Sequence, residues 1–529
     1  MPHPYHPIIY VRGFAATSGE IEDAVADPYM GFNLGSTKTR TAWTGDLKRF
    51  YFESPVIRLM CDYEYQDVIE AGDDIVTTDK PNNAVPYRCI VIHRYYEDAS
   101  EAFSDGNSRP IEHFARRLGQ LILRLRQRIC ENPKNEVTPE DFRVYLVAHS
   151  MGGLVCRAFM QNPELGDASA RAAVDKLFTY ATPHNGIDLR IVNNVPGWRA
   201  LGDVTNFNRK RMAGYLGLPE GTDDVSEIKG FPAERVFNLV GTNPKDYPVL
   251  GGVSAWAAGD ASDGLVRIEK ATTFGHASDG RRVTSPRAHI NRSHSGHYGI
   301  VNSEEGYQNL TRFLFGQIRF DGRLDIDDIT LPAAVEKQFK AGKTVRASYQ
   351  FEVVASVRGC HWDIHRRTRR EHSAIFRTYD QLFAPSPSSD KRPPDRDQSP
   401  HLFSIFLDRK FSHSSRKSVS FAFELSVVVP DYEVDGFLFL DRHYEGATIY
   451  RETILLEAFP DSRTRSGWRV CYGFQSKTPN LARRKARGDV FTDSAGSGVV
   501  FSLPISQSQR PGLSGALRIS ARPWNTEPR

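Results

Sequence analysis

Two textures divide the chain. Up to about residue 318, short apolar runs ("PIIYV", "RCIVIHRYY", "RVYLVAHS", "KLFTYATP", "RVFNLVGTN") alternate with segments whose apolar residues recur every three or four positions, as in "IEHFARRLGQLILRLRQRIC". Runs that short and apolar on both faces predict buried strands, and the periodic segments between them predict helices. That alternation predicts an α/β fold with a mostly parallel sheet, in which ligands bind at the carboxyl ends of the strands.

From about residue 321 to 525 the period becomes two. "TVRASYQFEVVASV", "HLFSIFLDRKF", "SVSFAFELSVVV", "ATIYRETILLEAF" and "GVVFSLPI" read as strands with one buried face, so the second half is expected to be all-β, a sandwich or a barrel. The stretch "APSPSSDKRPPDRDQSP", Ala384 to Pro400, is too rich in proline, serine and charge to pack, and predicts a mobile loop. At 529 residues the chain is too long for one ordinary core, consistent with a domain over 1–318 and another over 321–525.

The stretch "RVYLVAHSMGGLVCRAF", Arg143 to Phe159, brings in chemistry. A β-branched run ends at Ala148, and an apolar helix starts near Gly153, leaving Ser150 on the turn between them. A serine hydroxyl is a poor nucleophile at neutral pH, so a serine-based enzyme needs four things: an exposed elbow, a base, an acid that orients the base, and donors for an oxyanion. The positions two before and two after the nucleophile must be small, because strand and helix backbones crowd there; they are Ala148 and Gly152. A serine that merely caps the helix is the competing reading.

Arg12-Gly13-Phe14 follows the first strand, where a glycine lets the N–H of Phe14 turn towards a reacting carbonyl; Met151 would supply a second N–H. For the acid, "GDASDGLVRIEKA" offers Asp263, on an Asp-Gly turn, ahead of Asp260. For the base, "HINRSHSGHYGIVNSEEG" offers His289, His294 and His297 before a predicted helix whose apolar positions, Tyr307, Leu310, Phe313 and Leu314, lie on one face. His297, nearest that helix, is favoured, with His294 as its competitor. The chain order Ser, Asp, His is the one expected of this architecture.

"VAHSMGG" looks like the nucleophile elbow of small bacterial serine lipases, in which alanine likewise replaces the first glycine. "GHYGIVNSEEG" is similar to the segment around their catalytic histidine, and "YATPHNG" resembles their G-T-P-H-x-G segment. The resemblance covers roughly the first 300 residues. It implies an α/β-hydrolase fold and carboxylic-ester hydrolysis, with Ser150, Asp263 and His297 as triad and Phe14 and Met151 as oxyanion donors. The substrate it implies is a lipid or other acyl ester; a thioesterase, amidase, acyltransferase or non-catalytic binding protein on the same fold is the alternative.

Composition narrows this further. Lys and Arg number 68 against 64 Asp and Glu, a net charge of +4, so no nucleic-acid footprint is expected, although peripheral contact with an anionic membrane surface is compatible with it. Six scattered cysteines form no CxxC pair, which fits reduced thiols and a cytoplasmic chain, or one exported without a cleaved signal. The first residues lack the pattern of a Sec leader, and no apolar run reaches membrane-spanning length. No metal and no cofactor is expected; "CHWDIH" at Cys360 to His365 lacks convincing ligand spacing. Finally, Ile187, Ile191, Val195, Trp198 and Leu201 recur at helical spacing, and suggest either a lid with an apolar underside within about 187–232 or a helix packed into the core.

Overall fold

The structure, a computed structural model, describes residues 4–525 except 14–21, 23, 28, 33–35, 42–43, 46, 53, 71–72, 75–84, 102–103, 106, 108, 188–205, 246–260, 297–298, 385–391, 414, 416, 435–441, 465–466, 477–483, 486–490, 493–497 and 508. Two compact units divide the chain, Met1–Leu314 and Phe315–Arg529.

The main sheet of the first unit contains β1 (Ile8–Val11), β2 (Gln66–Asp67), β3 (Cys89–Ile92), β4 (Val144–His149), β5 (Val174–Tyr180), β6 (Val236–Gly241) and β7 (Arg287–Ile290). Their order is β7-β6-β5-β4-β1-β3-β2, and every neighbouring pair is parallel. Parallel neighbours need long crossovers, and helices supply them. Helix α1 (Ile111–Glu131) buries Ile111, Phe114, Leu118, Ile122, Leu125 and Ile129, the three-and-four spacing of its sequence. Helix α2 (Met151–Gln161) is buried along its whole length. Gly119 lets α1 approach it, since a Cβ there would lie 2.9 Å from the Phe159 ring.

The five runs read as strands are β1, β3, β4, β5 and β6. The two that escaped that reading, β2 and β7, are the strands at the two ends of the sheet. Between β3 and β4 the chain crosses over β1, so the carboxyl ends of β1 and β4 border the crevice where such sheets bind ligands.

The second unit is all-β but for short helices. One antiparallel sheet runs His401–Leu407, Ile318–Thr330, Gly512–Pro523, Val499–Ser506, Phe491–Thr492. The other runs Asp363–Arg367, Val345–Val357, Val419–Val434, Arg442–Pro460, Trp468–Phe474, Arg484–Lys485. Along Val419–Val434, Phe421, Phe423, Leu425 and Val427 are buried, as a period of two requires. Both sheets contribute to one core, with Phe320 5.1 Å from Phe421 and Phe403 4.7 Å from Phe423, ring to ring.

Two features of this unit differ from the sequence reading. The segment Ala333–Lys340 is a helix that buries Val335 among its eight residues. The expected loose loop is held over its second half: Asp395 N–H donates to Leu382 O at 2.8 Å, Arg396 to Ile326 O at 3.0 Å, and Ser399 Oγ to Asp325 at 2.7 Å. Polar composition predicted mobility there, but the Arg396 and Ser399 side chains find partners on the strand Ile318–Thr330; 385–391 lie outside the described residues.

Candidate active site

Strand β4 ends at His149 and α2 begins at Met151, so Ser150 alone makes the turn, at φ 53° and ψ −126°. A non-glycine residue with positive φ is strained, by about 1–3 kcal/mol, and persists only where its surroundings fix it. Here Ser150 N–H donates to Tyr180 O at 2.9 Å, while Thr182 Oγ1 donates to Ser150 O at 2.9 Å. The serine occupies the N-cap position, yet its side chain makes no capping hydrogen bond. Small neighbours are obligatory. A Cβ on Gly152 would lie 2.3 Å from Val11 O, and one on Gly153 2.2 Å from Thr182 Oγ1.

The free hydroxyl points elsewhere. Ser150 Oγ lies 2.9 Å from Nε2 of His294, whose Nδ1 lies 2.9 Å from Oδ2 of Asp263. All three residues are buried. An ionised carboxylate only accepts, so Nδ1 of His294 carries the proton, Nε2 is left bare, and the serine hydroxyl is the donor to it. The other carboxylate oxygen of Asp263 accepts from the N–H groups of Leu265 and Val266, at 3.0 and 2.7 Å. Gly264, at φ 100°, makes that turn possible, and Gly241 at the end of β6 leaves room for it, since a Cβ there would lie 2.8 Å from that of Asp263.

The bridging ring is therefore that of His294, the second choice from sequence, and His297 lies outside the described residues. The sequence reading favours His297 for its proximity along the chain to the following helix, α3 (Glu304–Phe315). The loop folds back on itself after His294, with Ile300 N–H donating to Ser293 O and Gly299 N–H to Gly296 O, both at 2.9 Å. His289 sits within β7, buried.

Of the expected oxyanion donors, Met151 is the first residue of α2, and its N–H is among the four at a helix start that have no intrahelical partner. Phe14 lies outside the described residues, as does Asp260. The turn before Phe14 is firmly held: Tyr95 donates to Arg12 O at 2.7 Å, Tyr96 donates to Gly13 O at 2.9 Å, and the Arg12 guanidinium donates to Met30 O. Only glycine fits at position 13, where a Cβ would lie 2.7 Å from that of Ser150. Ile187 of the expected lid is buried; Ile191, Val195, Trp198 and Leu201 lie outside the described residues.

Three supporting groups escaped the sequence reading. His149 Nε2 lies 2.9 Å from His294 O. Arg292 meets Glu305 through both carboxylate oxygens, 3.0 Å each, and ties the loop of His294 to α3. Arg157, buried in α2, donates to the carbonyls of His184, Val225 and Glu227 at 2.8–3.0 Å, and so fixes the "TPHNG" segment. A single charge inside an otherwise apolar helix was the available signal for Arg157. Burial holds the His184 imidazole well below its ordinary pKa, and Thr179 Oγ1 lies 3.1 Å from its Nε2.

Residues 92–195, which include β4, Ser150 and α2, match the family model of the PGAP1-like alpha/beta domain. With seven parallel strands and a strained serine between β4 and α2, the assignment is decided. The first unit has the α/β-hydrolase fold. No curated protein matches the sequence. Among solved structures, the lipase BlEst2 of Bacillus licheniformis in mature form is similar at 16% identity over 57% of this chain and 89% of that one, with a TM-score of 0.25. Phospholipase PlaB from Legionella pneumophila is similar at 12% identity over 84% of this chain and 91% of that one, with a TM-score of 0.30. At such identities and scores, function has to be argued from the side chains of the hydrolase unit itself. No described helix is long and apolar enough to cross a membrane.

Proposed function

We propose that the hydrolase unit cleaves carboxylic esters, with lipid acyl esters as the substrate class, through Ser150 as nucleophile, His294 as base and Asp263 as the acid that orients it. The observation that carries this reading is the hydrogen-bonded line from the strained Ser150 through both nitrogens of His294 to Asp263. In the reaction, Ser150 Oγ attacks the acyl carbonyl as its proton passes to His294 Nε2. Asp263 stabilises the resulting imidazolium.

The tetrahedral oxyanion is met by the N–H of Met151 and, on the evidence of sequence position, that of Phe14. Each such donor is worth about 2.7–4 kcal/mol of transition-state stabilisation. Collapse expels the alcohol, which takes the proton from His294, and leaves the acyl group on Ser150. Water, deprotonated by the same ring, then releases the acid. The preference for acyl chains rests on the apolar positions from Ile187 to Leu201.

A fluorophosphonate probe tests the nucleophile. Ser150 is expected to be labelled in the folded chain, and Ser150→Ala to remove both labelling and ester hydrolysis. A folded wild-type chain that takes no probe and cleaves no ester would make the unit a binding protein on a hydrolase fold. A p-nitrophenyl ester series from acetate to palmitate, run beside phosphatidylcholine vesicles, tests the substrate class; activity confined to acetate would exclude lipids.

A further inference from the structure

We propose that His149 is a positioning residue for the base: its imidazole ties the nucleophile elbow to the backbone of His294, and so fixes the ring that Ser150 and Asp263 share. The proposal rests on the reading of Ser150, His294 and Asp263 given above.

His149 is the last residue of β4, immediately before Ser150, and its Nε2 lies 2.9 Å from His294 O. A carbonyl can only accept, so Nε2 must carry the proton. The base residue is thereby held at both ends of its own backbone. Its N–H donates to Asp263 O at 2.9 Å, and its C=O accepts from His149. With Nδ1 on the Asp263 carboxylate as well, little freedom is left to move Nε2 away from the serine.

The other edge of the His149 ring faces the turn after β1, where a Cβ on Gly13 would lie 2.9 Å from Nδ1. One imidazole therefore packs between the base loop and the turn that precedes Phe14. A merely space-filling residue would serve one of these contacts but would not donate to His294.

The chemistry requires this ring to stay neutral. Its centroid is 5.0 Å from that of His294, so two imidazoliums would repel as His294 takes the serine proton. Burial first, then the nearby His294 and, least, Arg12, push the His149 pKa down to about 3, although its bond to the His294 carbonyl acts in the opposite direction. The His149 ring then stays neutral at neutral pH.

The test compares His149→Phe and His149→Ala, which lack a donor, with His149→Gln and His149→Asn, which keep one, in the full chain with p-nitrophenyl butyrate. Misplacing a reacting group slightly costs up to about 100-fold. The donor-free variants are therefore expected to lose roughly 10- to 100-fold in kcat with KM within about twofold, and at least one amide variant to recover most of that loss. The acid limb of the wild-type kcat/KM profile is expected to have a slope of one. A folded Phe or Ala variant with wild-type kcat would overturn the proposal, as would amide variants that fold yet do no better than Ala. A wild-type chain that takes no fluorophosphonate overturns the underlying reading along with it, whereas a labelled wild type beside an unimpaired Ala variant overturns the positioning role alone.

Discussion

The two ends of the parallel sheet each bury a cluster of titratable side chains, and the two clusters are built on opposite terms. At the carboxyl end stand Ser150, His294, Asp263 and His149. At the amino end Lys176, in β5, donates through Nζ to Leu314 O at 3.1 Å, 3.5 Å from Asp175 and 4.9 Å above the centre of the Tyr145 ring. Arg235 closes that group on Asp175. The ammonium there sits at the carbonyl end of α3, where a helix favours positive charge. Burial lowers the Lys176 pKa to about 7, the kind of shift often taken to mark an active site. Yet the backbone around it is ordinary. At the other end the backbone is strained at Ser150, glycine is enforced at 13 and 152, and the hydrogen-bonded side chains of Ser150 and His294 come from points 144 residues apart. Burial of a titratable group is thus a weak marker by itself; a serine held on a strained turn, with an imidazole brought to it from a distant loop, is a more specific one.

If that distinction is right, the largest contrast lies between Ser150→Ala and Lys176→Met. The first should lower kcat/KM by roughly 10⁴- to 10⁶-fold while the chain unfolds at its usual temperature. The second should leave kcat/KM of the folded chain within about twofold while lowering that temperature, since Asp175 loses a buried partner. Comparable losses of activity in the two variants would erase the difference between the ends of the sheet.

The two histidines come next. His294→Ala should cost about 10⁴-fold in kcat, against at most about threefold for His297→Ala; equal losses would return the base to dispute. A smaller effect separates strain from chemistry. Ser150→Gly removes a Cβ from a positive-φ position, and should raise stability by about 1 kcal/mol in equilibrium unfolding while abolishing activity. No gain would mean that the turn stores no strain worth the name.

The same contrast explains what could be read from sequence. The five interior strands announced themselves because both of their faces are buried, and Ser150 because a strand, a turn and small neighbours lie within a few residues of one another. Asp263 was legible from its Asp-Gly turn. That the ring of His294 would lie against Ser150 was not, because it depends on how the loop folds back between Ser293 and Ile300. His149 gave no signal at all: its partner is a backbone carbonyl 145 residues away, which has no sequence signature. The helix Ala333–Lys340 was missed for a different reason: it buries only Val335, so its apolar stripe is too thin to stand out among period-two strands.

The smallest effect concerns pH, and it tests whether the amino-end cluster is a simple ion pair. Lys176 ionises near 7 in the folded chain against an ordinary 10.5. Between those values the unfolded chain binds a proton that the folded chain does not, so this group makes the unfolding free energy rise with pH, by at most about 1.4 kcal/mol per unit. Below pH 7 both states are protonated, and the cost of burying the ammonium is fully present. For Asp175, burial opposes the charge, but Lys176 and Arg235 outweigh it and keep the carboxyl below its usual range. The guanidinium of Arg235 also meets Asp175, so Asp175 keeps one partner when Lys176 loses its proton. Urea unfolding of the wild type and Lys176→Met at pH 6, 7, 8 and 9 isolates the lysine, because every other titrating group is common to both. The wild type is expected to gain on the variant from pH 7 upward. Parallel curves would mean that the carbonyl end of α3 and Asp175 hold the ammonium charged, and that the two ends of the sheet differ in strain alone.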